Sequence, residues 1–282
     1  MSEQALYIVA TPIGNLEDLS PRAVATLSSV GLIAAEDTRH SQRLLSHFNI
    51  RTPVWAVHDH NERKQADAIV QRLMGGESVA LVSDAGTPLI SDPGYHLVKE
   101  VRRAGFKVVP IPGPCAMVTA LCAAGLPTDK FVFEGFLPAK AQARQAALEK
   151  VRDEARTLVF YESPHRILAT LQAMVEVLGE GRAMVMAREL TKTFETFLSG
   201  SIAEVLAEVE ADHNQQKGEM VLMVQGHSVS VADDDDLDAE GVRVMQILLE
   251  SLSISQAAST GAKILNQSRK KLYQWALARQ SD

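Results

Sequence analysis

Val82-Ser83-Asp84-Ala85-Gly86-Thr87-Pro88-Leu89-Ile90-Ser91-Asp92-Pro93-Gly94 continues an apolar strand that starts at Ser78, and it breaks into small and rigid residues rather than directly into a helix. Gly86 and Gly94 let backbone approach a ligand closely, Pro88 and Pro93 fix φ and remove amide donors, and Asp84, Thr87 and Ser91 supply oxygens that can hold an ammonium or a hydroxyl. Loops of this composition also occur as plain surface turns, so the weight of this one comes from repetition. Leu6 to Ala10 reads as a strand, followed by Thr11-Pro12-Ile13-Gly14-Asn15-Leu16 and then by Ser20-Pro21 as helix cap and first helical residue. Val108-Val109-Pro110-Ile111-Pro112-Gly113-Pro114-Cys115-Ala116 repeats the construction and leads into an apolar helix through about Ala124. Three strand ends with Gly/Pro loops point to one crevice at the carboxyl edge of a parallel sheet.

Outward from these loops, β-rich runs near 6–10, 31–35, 53–56, 78–82 and 107–110 alternate with helical ones, the signature of an α/β layer with a mainly parallel sheet. The turn at Gly125-Leu126-Pro127-Thr128-Asp129 separates a second set, with strands near 131–136, 157–161, 183–187, 193–198 and 219–225 and helices near 140–153, 164–178 and 201–211. The pattern predicts α/β domains at 1–124 and 125–228, an acidic linker at 229–236 around Asp233 to Asp236, and a helical domain at 237–282. In the last, Leu237 to Leu252 and Ser255 to Leu265 have helical periodicity, and Ser268 caps a third helix carrying Arg269, Lys270, Lys271, Tyr273 and Trp275. This is a helix-turn-helix-like pattern, with basic residues beside aromatics that suit phosphate contact and base stacking or, equally, a solvated bundle face.

With 282 residues, 46% hydrophobic and 22% charged, the chain has the composition of an ordinary globular protein large enough for two cores. No apolar run approaches the ~20 residues of a membrane span, and no signal peptide is visible, so a cytoplasmic protein is expected. A net charge of −7 argues against a generally basic nucleic-acid binder, so any RNA contact must fall to local patches. Cys115 and Cys122, seven apart on one expected helix, cannot pair with each other there and read as core thiols. His58-Asp59-His60 lacks the companions of a metal site, and none is expected. There is neither a Walker-type Gly-Lys-Ser/Thr sequence nor a G-x-G-x-x-G sequence at the first helix, which disfavours nucleotide hydrolysis and dinucleotide-dependent redox chemistry.

Ala10-Thr11-Pro12-Ile13-Gly14-Asn15-Leu16-Glu17-Asp18, Ala35-Glu36-Asp37-Thr38-Arg39, His60-Asn61-Glu62, Ser83 to Pro88, Pro112-Gly113-Pro114, Gly135-Phe136-Leu137-Pro138 and Tyr161-Glu162-Ser163-Pro164-His165-Arg166 together resemble, in this order, the bacterial 16S rRNA cytidine 2′-O-ribose methyltransferase family. That family belongs to the tetrapyrrole (precorrin/corrin) methylase superfamily, and the resemblance covers residues 5 to about 225. It implies two αβα domains of class III methyltransferase type with parallel or mixed sheets, S-adenosyl-L-methionine as cofactor, a homodimer, and a cytidine ribose of the decoding centre, in the 30S subunit, as acceptor. The cofactor is then expected between the domains, on Pro12, Ser83, Asp84, Ala85, Gly86, Thr87, Ile90, Ala116 and Met117 and, from the second domain's strand ends, Tyr161, Leu190 and Met220.

Methyl transfer to a hydroxyl requires positioning and removal of one proton. Glu36, Asp37, His60 and Glu62 are the candidates for that role, and the sequence singles out none of them. Arg39, Arg166, Lys192, Lys263, Arg269, Lys270 and Lys271 are the candidates for RNA phosphates. Two other readings share the crevice. A tetrapyrrole- or diphthine-type methylase needs a wider apolar acceptor cavity, and a ligand-sensing nucleic-acid-binding regulator needs no turnover.

Overall fold

The computed structural model describes residues 4–58, 61–227, 237, 239–265 and 267–279. Strands β1 (Ala5–Val9), β2 (Leu32–Ala35), β3 (Val54–Ala56), β4 (Val79–Val82) and β5 (Lys107–Ile111) form a sheet in the order β3-β2-β4-β1-β5, with every pairing parallel. Parallel neighbours need crossovers, and α1 (Pro21–Ser29), α2 (Thr38–His47), α3 (Glu62–Met74) and α4 (Tyr95–Arg103) provide them. Both faces are covered, which is why the inner strands β2 and β4 are apolar throughout. Val9, Ile33, Ala35, Ala80 and Val82 pack with Leu27 of α1 and Leu45 of α2. On the other face, Leu6, Leu32, Ala34, Val79 and Leu81 meet Ile69 and Leu73 of α3 and Leu97 and Val101 of α4. Ser20 starts α1 by accepting the Ala23 N–H at 3.1 Å, and Pro21 takes the first helical position, where a missing amide costs nothing.

After α5 (Ala116–Ala123) the chain builds a second sheet from β6 (Phe131–Phe136), β7 (Thr157–Glu162), β8 (Ala183–Arg188), β9 (Thr196–Ser201) and β10 (Met220–Val224). Its order is β6-β7-β10-β8-β9, with β6 parallel to β7 and the other pairs antiparallel. Side chains alternate between faces, with one irregularity between Phe133 and Gly135 of β6. Leu158, Phe160, Met184, Met186, Met220, Leu222 and Val224 pack on α6 (Ala141–Lys150), α7 (Ile167–Leu178) and α8 (Ile202–Ala211). Val159, Val185, Ala187, Val221 and Met223 instead meet Ala120 and Leu121 of α5 and Ile13 from the loop after β1. The second sheet therefore carries part of the first half on its free face, and residues through His227 form one compact unit. The boundary expected after residue 124 falls between α5 and β6.

Three expectations are corrected. Strand β9 begins at Thr196, not near 193, because Thr191 N–H donates to the Glu195 carboxylate at 2.7 Å and Glu195 N–H to the Lys192 carbonyl at 3.1 Å, folding that stretch into a turn. Helix α7 begins at Ile167 because Ser163 to Arg166 close a turn of their own, with Arg166 N–H on the Ser163 carbonyl at 3.2 Å. The cysteines are not both core thiols: α5 buries Ala120 and Leu121, leaving Cys122 exposed and Cys115 half-buried at the helix's N-cap.

The C-terminal helices form a second compact unit. Helices α9 (Ala239–Leu249), α10 (Ile254–Leu265) and α11 (Arg269–Ala278) enclose Leu237, Met245, Ala257, Ala258, Leu272, Trp275 and Ala276. Ser268 occupies the N-cap position of α11 but makes no side-chain cap bond. The acidic linker expected at 229–236 lies outside the described residues. Among the described residues no helix is long and apolar enough to cross a membrane.

Candidate active site

The three Gly/Pro loops are bonded to one another. Thr11 N–H donates to the Gly86 carbonyl at 2.8 Å and Gly86 N–H returns to the Thr11 carbonyl at 3.0 Å, which clips the loops after β1 and β4 together. Thr87 Oγ1 donates to the Pro114 carbonyl at 2.9 Å and brings in the loop after β5. This clip needs Gly86 at φ +82°, in the left-handed region that a side chain disfavours. Ser83 Oγ lies 3.3 Å from the Ala85 carbonyl, so it shapes the turn from behind.

Strain concentrates around the same place. Of the five non-glycine residues with positive φ among those described, Leu89 and Ser91 lie in the loop after β4, and Glu189 and Thr191 lie in the loop after β8; only Asn49 is elsewhere. Such residues persist only where surrounding structure over-determines them, and they cluster at functional sites. Ile90 and Ser91 of the first of these loops and Leu190 of the second line a cleft of about 420 Å³, within the range of ligand pockets.

One wall of this cleft is Asp84, Ala85, Gly86, Thr87, Ile90, Ser91 and Asp92 with Ile13, Cys115 and Ala116, and the opposite wall is Phe136, Tyr161, Leu190, Met220 and Val221. Of the residues expected to touch a cofactor, Pro12, Ser83 and Met117 do not line it; Met117 stands behind the wall, with its N–H donating to the Tyr161 hydroxyl at 3.1 Å. Burial pushes the Tyr161 hydroxyl pKa up, and its ring is fixed edge-on by Phe133 and Phe136, with centroids at 4.8 and 5.6 Å.

Carboxylates ring this largely apolar space: Glu36, Asp84, Asp92, Glu162 and Glu219. Glu162 is buried, accepting from Arg166 at 2.8 Å, Thr170 Oγ1 at 2.6 Å and Ser163 N–H at 2.7 Å. Asp84 accepts the Asp37 N–H at 3.0 Å. Asp92 has its pKa pushed up to about 6 by burial, with Asp84 adding to the rise and a hydrogen bond from Ser83 opposing it. Sequence reasoning passed over Asp92 although it stands in the decisive stretch, because only the left-handed turns at Leu89 and Ser91 bring it to the cleft, and no residue type there announces them.

Among the proton-removal candidates, Glu36 lines the cleft. Asp37 instead caps α2, accepting from Arg39 N–H at 2.7 Å and His40 N–H at 3.3 Å, and these bonds hold its pKa below the usual carboxylate range. Glu62 is buried and accepts the Leu97 N–H at 2.9 Å, joining α3 to α4 away from the cleft wall. His60 lies outside the described residues. Among the phosphate candidates, Arg166 is held against Glu162, and Lys192 is paired with Glu189 at 2.7 Å and Glu219 at 3.1 Å. Arg39 is exposed beside Arg43 in a shallow depression on α2. Lys263, Arg269 and Lys270 are exposed and Lys271 half-buried, with Arg269 reaching Ser255 Oγ at 3.2 Å. Trp275 offers no stacking surface: it belongs to the buried i, i+3, i+4 stripe Leu272, Trp275, Ala276, and Arg279 lies over its ring at 4.4 Å. Tyr273 is the exposed aromatic of that helix. No group of three or more His, Cys, Asp or Glu among the described residues could hold a metal ion.

Comparison with known proteins matches residues 5–206 to the family of Tetrapyrrole (Corrin/Porphyrin) Methylases and residues 235–280 to the RsmI C-terminal HTH domain. The Ribosomal RNA small subunit methyltransferase I of Pseudomonas aeruginosa is 53% identical over 99% of both chains, and that of Synechocystis is 45% identical over 98% of this chain and 99% of the relative. Solved structures give the fold alone at low identity. Diphthine synthase has a TM-score of 0.59 at 13% identity, covering 80% of this chain and 92% of its own. A Thermus thermophilus uroporphyrin-III C-methyl transferase complexed with S-adenosyl homocysteine has 0.54 at 16%, covering 80% and 99%. The chain belongs to the tetrapyrrole methylase family, and within it to the small-subunit ribosomal RNA methyltransferases I.

Proposed function

We propose that this protein is an S-adenosyl-L-methionine-dependent methyltransferase that modifies the ribose 2′-hydroxyl of a cytidine in the decoding centre of 16S rRNA, presented in the 30S subunit. The observation that carries the reading is identity above half over the full length with rRNA small subunit methyltransferases, through both the α/β body and the C-terminal helices. The cleft fits such a cofactor. Its apolar walls suit an adenosine and a methionine chain, its carboxylates suit a sulfonium and an ammonium, and Gly86, held at φ +82°, presents bare backbone at the wall. When bound, the cofactor supplies an electrophilic methyl group.

The chain's own residues then bind and orient. Gly86 and Thr87 present backbone at close range, Tyr161 and Leu190 close the opposite side, and Ile13, Ile90 and Met220 exclude water. Cationic residues of α10 and α11 hold rRNA phosphates, as does Arg39; such contacts position a substrate without reading its sequence. Lys192 and Arg166 instead neutralise cleft carboxylates, which lessens repulsion of an approaching polyanion. By resemblance to its superfamily the protein works as a homodimer. The test is incubation with radiolabelled S-adenosyl-L-methionine and undermethylated 30S subunits, uroporphyrinogen or DNA, followed by digestion of the RNA to nucleosides. Label in 2′-O-methylcytidine from the subunits alone is expected; label in uroporphyrinogen would favour the small-molecule reading and overturn this one.

A further inference from the structure

We propose that Asp92 is the general base that takes the proton from the acceptor hydroxyl. The assignment rests on the reading of the cleft as a methyl-transfer site, and it names a residue that the sequence alone did not single out.

Geometry separates Asp92 from three of the other four carboxylates of the cleft, and Glu36 is told apart from it by experiment. Glu162 is saturated by Arg166, Thr170 and Ser163, Glu219 is paired with Lys192, and Asp84 accepts the amide at the start of α2. Asp92 lines the cleft on a segment held in an unusual conformation: Leu89 and Ser91 lie at φ +72° and +69°, and Gly94 at φ +133°. A Cβ at Gly94 would come within 2.8 Å of Leu81 Cδ2, so that turn is packed directly against the core of the first sheet. This construction holds one carboxylate at the edge of an apolar space, on a turn whose backbone cost is offset in part by Leu89 packing against the core of the first sheet.

The charged and titratable groups of the same cleft are Glu36, Asp84, Glu162 and Glu219, with Cys115 and Tyr161. Among the described residues the lining holds no cation, and Arg166 and Lys192 behind it are paired with Glu162 and Glu219, so the surroundings favour a protonated Asp92 once it has accepted a proton. A pKa near 6 leaves it ionised and receptive at neutral pH, which is the condition for a base that must be regenerated every turnover. The step balances. The hydroxyl proton passes to an Asp92 Oδ, the hydroxyl oxygen forms a bond to the methyl carbon, and the carbon–sulfur bond of the sulfonium donor breaks with its electron pair retained on sulfur as a neutral thioether. Asp92 then loses the proton to solvent.

The experiment compares the full-length protein with Asp92→Asn and Glu36→Gln. Calorimetry with S-adenosyl-L-methionine and with S-adenosylhomocysteine reads binding, and methylation of 30S subunits across pH 5 to 9 reads turnover. Asp92→Asn is expected to bind both ligands within about twofold of wild type, to keep its KM for subunits, and to lose roughly a hundredfold or more in kcat, the usual scale for removing a general base. The acidic limb of the wild-type profile, rising through about pH 6, should vanish in Asp92→Asn and persist in Glu36→Gln; Asp92→Glu should restore part of the rate. A limb that persists in Asp92→Asn, or vanishes in Glu36→Gln alone, overturns the assignment. So does selective weakening of the sulfonium ligand in Asp92→Asn with kcat unchanged, since Asp92 would then be a counter-charge. A wild-type protein that binds cofactor but methylates no subunit refutes the functional reading itself and takes the assignment with it.

Discussion

Replacing Arg166 with Met should unfold the α/β body earlier without touching the C-terminal helices. The guanidinium meets a Glu162 side chain that is only 1% exposed, while its own is 25% exposed, at 2.8 Å. A pair with one buried member falls between exposed pairs, worth about 0–1 kcal/mol, and buried ones, whose rupture costs about 3–5 kcal/mol. Thr170 and Ser163 continue to hold the carboxylate, so about 2 kcal/mol is expected for the charge alone. Arg166 also donates to the Leu137 carbonyl at 3.1 Å and to Ser163 Oγ at 3.3 Å, and losing these adds about 1 kcal/mol. A total near 3 kcal/mol corresponds to about 6–12 °C in Tm for a unit of this size. Scanning calorimetry on Arg166→Met, Glu162→Gln and the double variant gives the coupling energy, expected at about 1.5–2 kcal/mol. A Tm within about 2 °C of wild type, with coupling below about 0.5 kcal/mol, would refute the reasoning and return Arg166 to the pool of residues available to rRNA phosphates.

Gly86→Val should abolish measurable cofactor binding, because valine at φ +82° is strained and its branch enters the space between the loops; unchanged calorimetric affinity in a folded variant would sink this seat. Asp92→Asn should be more stable than wild type at pH 8. A folded pKa of about 6 against an ordinary 3.8 means the ionised form is disfavoured in the native state, so wild type loses stability as pH rises through this window and regains it on acidification. Discounted for partial solvent screening, the gain is about 1–2 kcal/mol at pH 8 and nil below about pH 4, and equal melting at pH 8 would contradict it. Deleting residues 237–282 should leave cofactor affinity and the Tm of the α/β body unchanged while weakening 30S binding and flattening its salt dependence; unaltered kinetics and salt slope would reduce these helices to a structural role. Turnover should survive a chelator as long as the RNA remains folded, and a divalent ion that restored lost activity would argue otherwise.

Much of the architecture was legible because both sheets are buried on both faces, so strands such as Leu32–Ala35 and Val79–Val82 are unbroken apolar runs. The loops were legible because Gly and Pro do there what other residues do not. Side-chain fate was harder to read. Glu62 and Asp37 have the composition of acid–base residues, yet both are absorbed by helix N-termini, where orphan amides compete for any nearby carboxylate. Arg166 and Lys192 look like phosphate ligands until the fold turns Glu162 and Glu189, four and three residues away, and the distant Glu219 alongside them. Trp275 reads as a stacking platform only while its helix has no partners. Asp92 is the reverse case, an inconspicuous residue given its position by two left-handed neighbours.

The place of β10 has a bearing on how the chain is made. Among the described residues it is the last strand synthesised, yet it lies in the middle of the second sheet between β7 and β8. Until Met220 to Val224 leave the ribosome, β7 and β8 each present a bare hydrogen-bonding edge, the kind of surface that seeds aggregation in nascent chains. At about 5–20 residues per second, the stretch from Ser201 to Met220 keeps those edges open for roughly one to four seconds in every round of translation. Met220 and Val221 also form part of the cleft wall, so a polypeptide released before codon 220 has neither a closed sheet nor a complete cleft, and it would be a ready substrate for quality-control proteases.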